Sequence, residues 1–475
     1  LTDEEAYRYI HSLWTMIENR RTTVNGRIIV GGKGRKHPKE ADVFLHIAMK
    51  VAKNCRYVEP QFTLRFDKDT SEEIWDEALD ALGAGATYPT LYNDDVNVPA
   101  VMYGMRVDEK AAEQYVPFGC TEFVIQGQST GTPNICINLL KLLTIYMNDG
   151  IDPIDGKRKS GPVSLKKLEE YQTFEEFYDG YKALLDYYLD LSVKAQYHSY
   201  EVMNQHVSFL FTSLLTDDCI ARGKALLDGG VRYLGGTNET YGNINTSDSL
   251  WVIRDLVFNQ KKYTLRQLND AMLANFNGYE ALRKDCLNCD KYGNDLETAD
   301  TMANDLYEFV AKGVRNRGIA IGMQYFLIVI SNNQLNTEWG NRTAASPDGR
   351  LSCMYMNPAN NPQGGANKSG PTAMLNSLAK FDAKYHGGSV QNIKFSPSMF
   401  NENRAVIKSL FKTYFAKGGC HLMVTVVDKG VLEDAVEHPE NYPDLIVRVS
   451  GFSAVFVDLS PNIQQELLSR VLYDE

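Results

Sequence analysis

The sequence predicts an α/β fold, with helices interleaved among buried strands. Segments with apolar residues at helical spacing recur from residue 3 to about 225, whereas Phe326-Leu327-Ile328-Val329-Ile330 and His421-Leu422-Met423-Val424-Thr425-Val426-Val427 are short apolar or β-branched runs suited to buried strands. No internal repeat, low-complexity segment or flexible linker divides the chain. A third observation is bulk: 475 residues, 44% hydrophobic with 20 Phe and 27 Tyr, can fill one large interior and exclude a disordered or fibrous class.

Residues 3 to 19 carry Tyr7, Ile10, Leu13, Trp14 and Ile17 at helical spacing. A basic stretch follows, in which Arg20, Arg21, Arg27, Lys33, Arg35 and Lys36 surround Gly31-Gly32; it reads as a solvated loop, with an anion contact as the lesser alternative. Helices are expected at 40–54 and 71–82, the second ending at Gly83 and Gly85, and Tyr88-Pro89-Thr90-Leu91-Tyr92-Asn93-Asp94-Asp95 reads as a loop. The region from 138 to 225 is predicted largely helical, and Thr173 followed by Glu176 reads as a capping box opening a helix through Phe177, Tyr181, Leu184 and Tyr188. Residues 235–250 form a polar, glycine-bearing loop that matches neither phosphate-binding glycine pattern. Ile319-Ala320-Ile321-Gly322-Met323 is a further apolar run, and 331–371 is rich in Asn, Gly and Pro.

A net charge of -11 argues against general nucleic-acid binding, which needs a basic footprint, and favours a small-molecule substrate. No run approaches the length of a membrane span and no signal peptide opens the chain, so a cytoplasmic location is the default reading. The first residue is Leu1, and the opening resembles a helix interior to a larger protein, so the chain is expected to be a fragment. Eight dispersed cysteines read as reduced thiols; Cys286 and Cys289 make a single C-x-x-C without the second pair that a structural zinc site wants. His198 and His206 lie eight apart on a helical stretch with no third ligand and read as packing or surface residues.

Chemistry concentrates at two segments. In Tyr115-Val116-Pro117-Phe118-Gly119-Cys120-Thr121-Glu122, an extended backbone would send Cys120 and Glu122 to the same side, pairing a thiol with a carboxyl. An ionic cysteine nucleophile needs a neighbouring cation or histidine to lower its pKa, and no adjacent residue supplies one. Hydrogen-atom chemistry uses the neutral thiol; alone, Cys120 also fits an inert buried cysteine. The second segment is Arg448-Val449-Ser450-Gly451-Phe452-Ser453-Ala454. A glycine Cα can become planar between amide and carbonyl and share an unpaired electron with both, although a glycine here also fits a close backbone approach.

Together these segments resemble the glycyl radical enzymes, the pyruvate formate-lyase superfamily. Asn341-Arg342-Thr343-Ala344-Ala345-Ser346-Pro347-Asp348-Gly349-Arg350, Gly370-Pro371-Thr372-Ala373, Gly418-Gly419-Cys420-His421 and the segment Arg448 to Gln465 carry the likeness along most of the chain. The resemblance implies the C-terminal part of a ten-stranded α/β barrel, with the Cys120 and Gly451 loops meeting at its centre. It implies a partial barrel domain over 1–340 and a glycine radical domain over 341–475. It further implies no bound cofactor but a radical on Gly451, installed by an iron-sulfur, S-adenosylmethionine-dependent activating enzyme. Gly451 would take hydrogen from Cys120 and the Cys120 thiyl from the substrate, with Glu122 as general acid or base; an oxygen-sensitive homodimer of anaerobic metabolism is implied as well.

Within that superfamily, pyruvate formate-lyase carries two adjacent cysteines, where this chain has Gly119 and Cys120. Formate acetyltransferase chemistry is therefore disfavoured, and elimination or C-C or C-X cleavage by a lyase is expected. The diol dehydratases carry an aspartate fourteen residues after the cysteine; here that position is Asn134, which can hydrogen-bond a hydroxyl but cannot act as a base. Asn134 and Phe118 are the expected substrate contacts. A non-catalytic fragment, and a hydrolase or transferase using Cys120 ionically, are the alternatives from other classes.

Overall fold

The computed structural model describes residues 1–20, 26–131, 133–330 and 334–474, with backbone alone at 133 and 134; Arg21 of the basic stretch lies outside the described residues. The chain forms two compact units, one comprising Leu1–Gln126, Gly370–Lys384 and Gly388–Glu475, the other Gly127–Ser369 with Tyr385–Gly387. Among the described residues no helix is long and apolar enough to cross a membrane.

The first unit is built on a six-stranded sheet in the order Arg27–Gly31, Gln61–Phe66, Thr90–Asn93, His421–Val426, Asn392–Phe395 and Leu472–Tyr473. The first three strands are parallel, joined through the helices Pro38–Asn54 and Glu72–Gly83. His421–Val426 runs antiparallel to Thr90–Asn93 and parallel to Asn392–Phe395. The helix expected at the start is Asp3–Asn19, closed by a reciprocal Thr2/Glu5 capping box, and Ser71 caps Glu72–Gly83.

Three expectations are corrected here. The stretch read as a loop at 88–95 is a buried strand followed by the helix Asp94–Met105. Its Pro, Asn and Asp residues have turn chemistry, but the sheet buries all of Thr90–Asn93, joins the Thr63 and Thr90 hydroxyls at 2.9 Å, and uses Asn93 as a helix cap. The basic stretch is also not a solvated loop: Arg27 lies in a strand, Lys33 pairs with Asp95 at 2.6 Å, and Arg35 pairs with Asp42. Glu176 receives no reciprocal bond from Thr173; Thr173 Oγ1 accepts the Glu176 N–H at 3.2 Å, but the Glu176 carboxylate accepts from Gln172 N–H instead.

In the second unit, Tyr233–Tyr241 is a central strand, parallel to Ser129–Thr130 and Pro133–Asn138 on one side and to Tyr325–Ile330 on the other. Residues 235–250 are thus the end of a strand and the helix Asn243–Val252 rather than a loop. Gly235 and Gly236 suit a strand there because the rings of Tyr325 and Phe326 lie where their side chains would stand. The apolar run at 319–323 ends the helix Glu297–Ala320. The long helix predicted within 138–225 is Phe174–His206, with Leu139–Met147 before it and, between them, chain whose one helical piece is the short 3-10 turn Leu168–Glu170. His198 is exposed against Glu201, and His206 is exposed.

Asp248, on Asn243–Val252, is buried, accepts the Tyr292 N–H at 2.9 Å through Oδ1, and has no hydrogen bond at Oδ2. Burial pushes its carboxyl from 3.8 up to about 7, against the pull of the Lys291 ammonium and with the help of Asp348 and Asp300. The folded state therefore holds this proton more tightly than the unfolded chain. Its stabilising contribution is complete below the unfolded pKa and is lost as pH rises through about 7. Urea unfolding at pH 5 and pH 8 should show wild type losing about 3 kcal/mol more than Asp248→Asn between the two. Equal losses would contradict this assignment.

Candidate active site

Cys120 sits at the tip of a tight hairpin, not in an extended segment. Tyr115–Phe118 and Glu122–Ile125 pair antiparallel, with Phe118 opposite Glu122, leaving Gly119, Cys120 and Thr121 as a three-residue turn. Gly119 has φ +53° and Thr121 φ +89°, both left-handed, and for a β-branched threonine such a backbone is strained, at a cost of about 1–3 kcal/mol. Thr121 is fully buried, and its carbonyl carbon lies 2.5 Å from where a side chain on Gly388 would begin. Only glycine lets that neighbouring chain pass so close.

The root of this hairpin is fixed by a buried ionic knot. Arg65, on the second strand, grips Asp94 with two bonds, Nε to Oδ1 at 2.9 Å and Nη2 to Oδ2 at 2.7 Å. Asp94 also accepts the Tyr115 hydroxyl at 2.8 Å and the Lys33 N–H at 2.7 Å. Arg65 donates further to the carbonyls of Tyr115 and Glu113 at 2.9 and 3.0 Å, and its guanidinium lies over the Tyr115 ring at 4.1 Å. Both charges are fully buried and saturated with hydrogen bonds, the condition under which such a pair is tolerated.

Gly451 belongs to a second hairpin. Ile446–Arg448 and Ser453–Val455 pair antiparallel, and Val449 and Ser450 both donate N–H to the Phe452 carbonyl, at 3.1 and 3.2 Å. Behind it, Val447, Val449 and Phe456 pack with Ile463 and Leu467 of the helix Pro461–Ser469. Arg470 donates to the Val449 carbonyl at 2.7 Å and pairs with buried Glu466 at 2.8 Å. Arg448 is fully buried; its Nη1 donates to Ser453 Oγ at 3.3 Å, its guanidinium lies 5.1 Å from the Tyr88 ring, and Thr87 joins Ser453 at 2.8 Å.

The two tips touch. The point that a Cβ on Gly451 would occupy lies 2.5 Å from Cys120 Cα and 3.0 Å from both Cβ and Sγ. Gly451 has no left-handed φ, so the need for glycine here is contact and not backbone angle. The Cα–H along that direction is aimed at Cys120. Gly119 leaves the same kind of space: a Cβ there would lie 2.7 Å from Glu122 Oε2, so the Glu122 carboxylate folds back beneath the turn. Glu122 is 4% exposed.

Of the residues expected from sequence, Cys120, Glu122 and Gly451 come together. Phe118 ends its strand 45% exposed, and the side chain of Asn134, in the strand Pro133–Asn138, lies outside the described residues. Sequence reading placed Arg27 only within a basic stretch, with an anion contact as the lesser alternative, and did not single out Tyr92 or Arg470. Arg27 Nη2 donates to the Gly119 carbonyl at 2.9 Å, and Tyr92 packs on His421 with ring centroids 4.5 Å apart. Burial pushes the Tyr92 hydroxyl up, opposed by Arg27 and Arg448. The available signal for Arg27 was a cation followed at once by the apolar run Ile28-Ile29-Val30.

The pyruvate formate lyase-like family model matches residues 1–335, and the glycine radical model matches residues 356–457. The chain belongs to the glycyl radical enzymes of the pyruvate formate-lyase type. It is 29% identical to trans-4-hydroxy-L-proline dehydratase of Clostridioides difficile, over 96% of this chain and 58% of that protein. It is 26% identical to the glycyl radical subunit of 4-hydroxyphenylacetate decarboxylase from Clostridioides difficile strain CD196, over 94% of this chain and 54% of that protein. The glycerol-bound B12-independent glycerol dehydratase of Clostridium butyricum superposes with a TM-score of 0.90 at 28% identity, over 100% of this chain and 62% of that one. The chain thus spans less than two thirds of these relatives' length. The α/β fold of this family, expected from sequence, is the fold observed, and the glycine radical match indicates an organic radical carried by the protein itself and not by a bound cofactor.

Breaking the ionic knot should be costly. Arg65→Met leaves Asp94 charged, buried and without its main partner, and should lower unfolding free energy by about 3–5 kcal/mol in a urea titration. A loss under about 1 kcal/mol, the range of an exposed pair, would show that the knot does not hold the hairpin.

Proposed function

We propose that Gly451 stores the radical, that Cys120 relays it and that Glu122 moves the proton, in a lyase that eliminates a group from, or cleaves a C-C or C-X bond in, a small organic molecule. The observation that carries this reading is the Gly451-to-Cys120 contact, 3.0 Å from the would-be Cβ to Sγ. An activating enzyme, by the family resemblance an iron-sulfur protein using S-adenosylmethionine, removes one hydrogen atom from Gly451 Cα. The glycyl radical then takes hydrogen from the Cys120 S–H, and the thiyl takes hydrogen from a substrate C–H. The substrate radical loses its leaving group, with Glu122 supplying or accepting the accompanying proton. The product radical recovers the hydrogen from Cys120, which recovers its own from Gly451. No net electrons are exchanged, so the cycle needs no external reductant.

The hairpin supports hydrogen-atom transfer over acyl transfer. A second cysteine at 119 would put its Cβ against the Glu122 carboxylate and adopt φ +53°, so the two-sulfur relay of a formate acetyltransferase does not fit this turn. The dehydratase, decarboxylase and sulfite-lyase activities named for its relatives support a lyase. We further propose a barrel-forming region through residue 340, a glycine radical region over 341–475, substrate contacts at Phe118 and Asn134, and a homodimer in the cytoplasm.

Anaerobic activation followed by air should cut wild type at Gly451, seen as two fragments by intact mass, whereas Gly451→Ala stays whole. Cys120→Ser should keep the glycyl radical signal yet lose turnover by at least roughly a thousand-fold, because a hydroxyl hydrogen is too strongly bound to relay. Intact wild-type chain, with an activase proven on another partner, would overturn the proposal.

A further inference from the structure

The helix Glu72–Gly83 carries five acidic side chains, and basic groups answer four of them. Glu72 pairs with Lys408 and Lys412, Asp76 with Lys408, Asp80 with Lys53 and Arg404, and Glu77 with His46 of the helix Pro38–Asn54. Glu73 is the exception. Among the described residues it forms no ion pair, although it stands one turn before Glu77 on the same face, where two like charges repel. Its carboxylate nevertheless meets His46 and Glu77. One ligand atom from each of these three side chains lies within 4.8 Å of the others, and among the described residues no other group of three His, Cys, Asp or Glu converges in this way.

An imidazole converging with two carboxylates from a second helix has a narrower chemistry than an acidic patch. Imidazole nitrogen is a poor ligand for magnesium or calcium, which take oxygen, and a good one for zinc and its transition-metal neighbours. Around a tetrahedral zinc ion with bonds of about 2.0–2.2 Å, adjacent donors stand about 3.3 Å apart. His46 Nδ1 and Glu77 Oε2 are 2.8 Å apart as a hydrogen-bonded pair, and 4.8 Å bounds the widest separation in the group. The side chains of His46 and Glu77 are 34% and 32% exposed and Glu73 is exposed, so small rotations reach the metal-bound spacing without moving either helix. An ion also has a way in, because His46 and Glu77 line an open groove with Tyr7, Lys50, Lys53 and Asp80. Of the two ammonium groups there, Lys53 is engaged by Asp80 at 3.3 Å and Lys50 lies 5.5 Å from the centre of the Tyr7 ring.

We propose that His46, Glu73 and Glu77 bind one divalent transition-metal ion of the zinc class, with water completing the coordination. None of the three belongs to the proposed radical relay. His46 lies in the crossover between the strands Arg27–Gly31 and Gln61–Phe66, and the two glutamates lie in the crossover between Gln61–Phe66 and Thr90–Asn93. The ion therefore joins the two helices that connect the strands bearing Arg27, Arg65 and Tyr92. Bound only when both helices are in place, it stabilises the folded first unit.

Zinc binding to the full, unactivated chain is measured by calorimetry in thiol-free buffer, for wild type, Glu73→Gln and His46→Ala, with magnesium as the contrast ion. Cobalt(II) then replaces zinc to report the donors, since a cysteine site shows a sulfur-to-cobalt charge-transfer band and a site of nitrogen and oxygen does not. Wild type should bind a zinc ion at least roughly a hundred-fold more tightly than magnesium, and zinc should raise its midpoint of unfolding in urea. Each substitution should weaken that binding at least roughly ten-fold and remove the stabilisation. Glu73→Gln is the decisive variant: an exposed change that keeps the His46–Glu77 pair, it preserves the fold and separates a metal site from a plain ion pair. Zinc binding weaker than about 0.1 mM, equal binding of magnesium, a sulfur band from the ion lost in Glu73→Gln, or zinc affinity unchanged in either variant would overturn the proposal.

Discussion

The buried Arg65–Asp94–Tyr115 knot is the constraint on which the first unit's chemistry depends. Three pieces of chain meet there: a parallel strand, the start of the helix after the next strand, and the first residue of the hairpin that presents Cys120. A buried charge pair contributes little net stability when compared with apolar packing, but it permits few alternative arrangements once every donor and acceptor is satisfied. Here it fixes where the hairpin begins, and a three-residue turn leaves little freedom for where it ends.

That economy of motion suits radical transfer. A hydrogen atom moves only between atoms nearly in contact, so both partners must be held and their neighbourhood kept closed. Each is placed in the turn of a short hairpin held by an arginine: Arg65 at the base of the first, at Tyr115, and Arg470 beside the turn of the second, at Val449. The strained Thr121 and the absent side chains of Gly119, Gly388 and Gly451 are the local conditions for that approach. Glycine at 451 serves twice, as the residue whose Cα can hold an unpaired electron and as the one small enough to meet the Cys120 backbone.

Cys120, Glu122 and Gly451, the residues of the proposed relay, could be named from the sequence because such a relay demands particular residue types in short motifs. The geometry joining them was not. An extended reading placed Cys120 and Glu122 on one side by alternation, whereas the chain turns at Gly119 and brings the Glu122 carboxylate back beneath it. Tyr92 was hidden in a segment whose Pro, Asn and Asp residues read as a turn, since the sheet partner that buries it, His421, lies far along the chain. Arg27 was masked by the other cations around it; the residues that hold it, Gln61 and Gly119, are 34 and 92 positions away. Helices with local caps, such as Asp3–Asn19 and Glu72–Gly83, were readable almost to their ends because their determinants are local.

The central claim is that hydrogen passes between Gly451 and Cys120, and exchange into the radical measures it most directly. The activated protein would be transferred anaerobically to D2O and the glycyl radical followed by electron paramagnetic resonance. A thiol hydrogen exchanges with solvent and a Cα hydrogen does not, so a relay that returns deuterium to Gly451 and, once the planar Cα has turned over, removes the original hydrogen replaces the radical's own α-hydrogen with deuterium. The account predicts that the hydrogen splitting collapses in wild type and persists in Cys120→Ala. Splitting that persists in wild type, or collapses equally without Cys120, would contradict it.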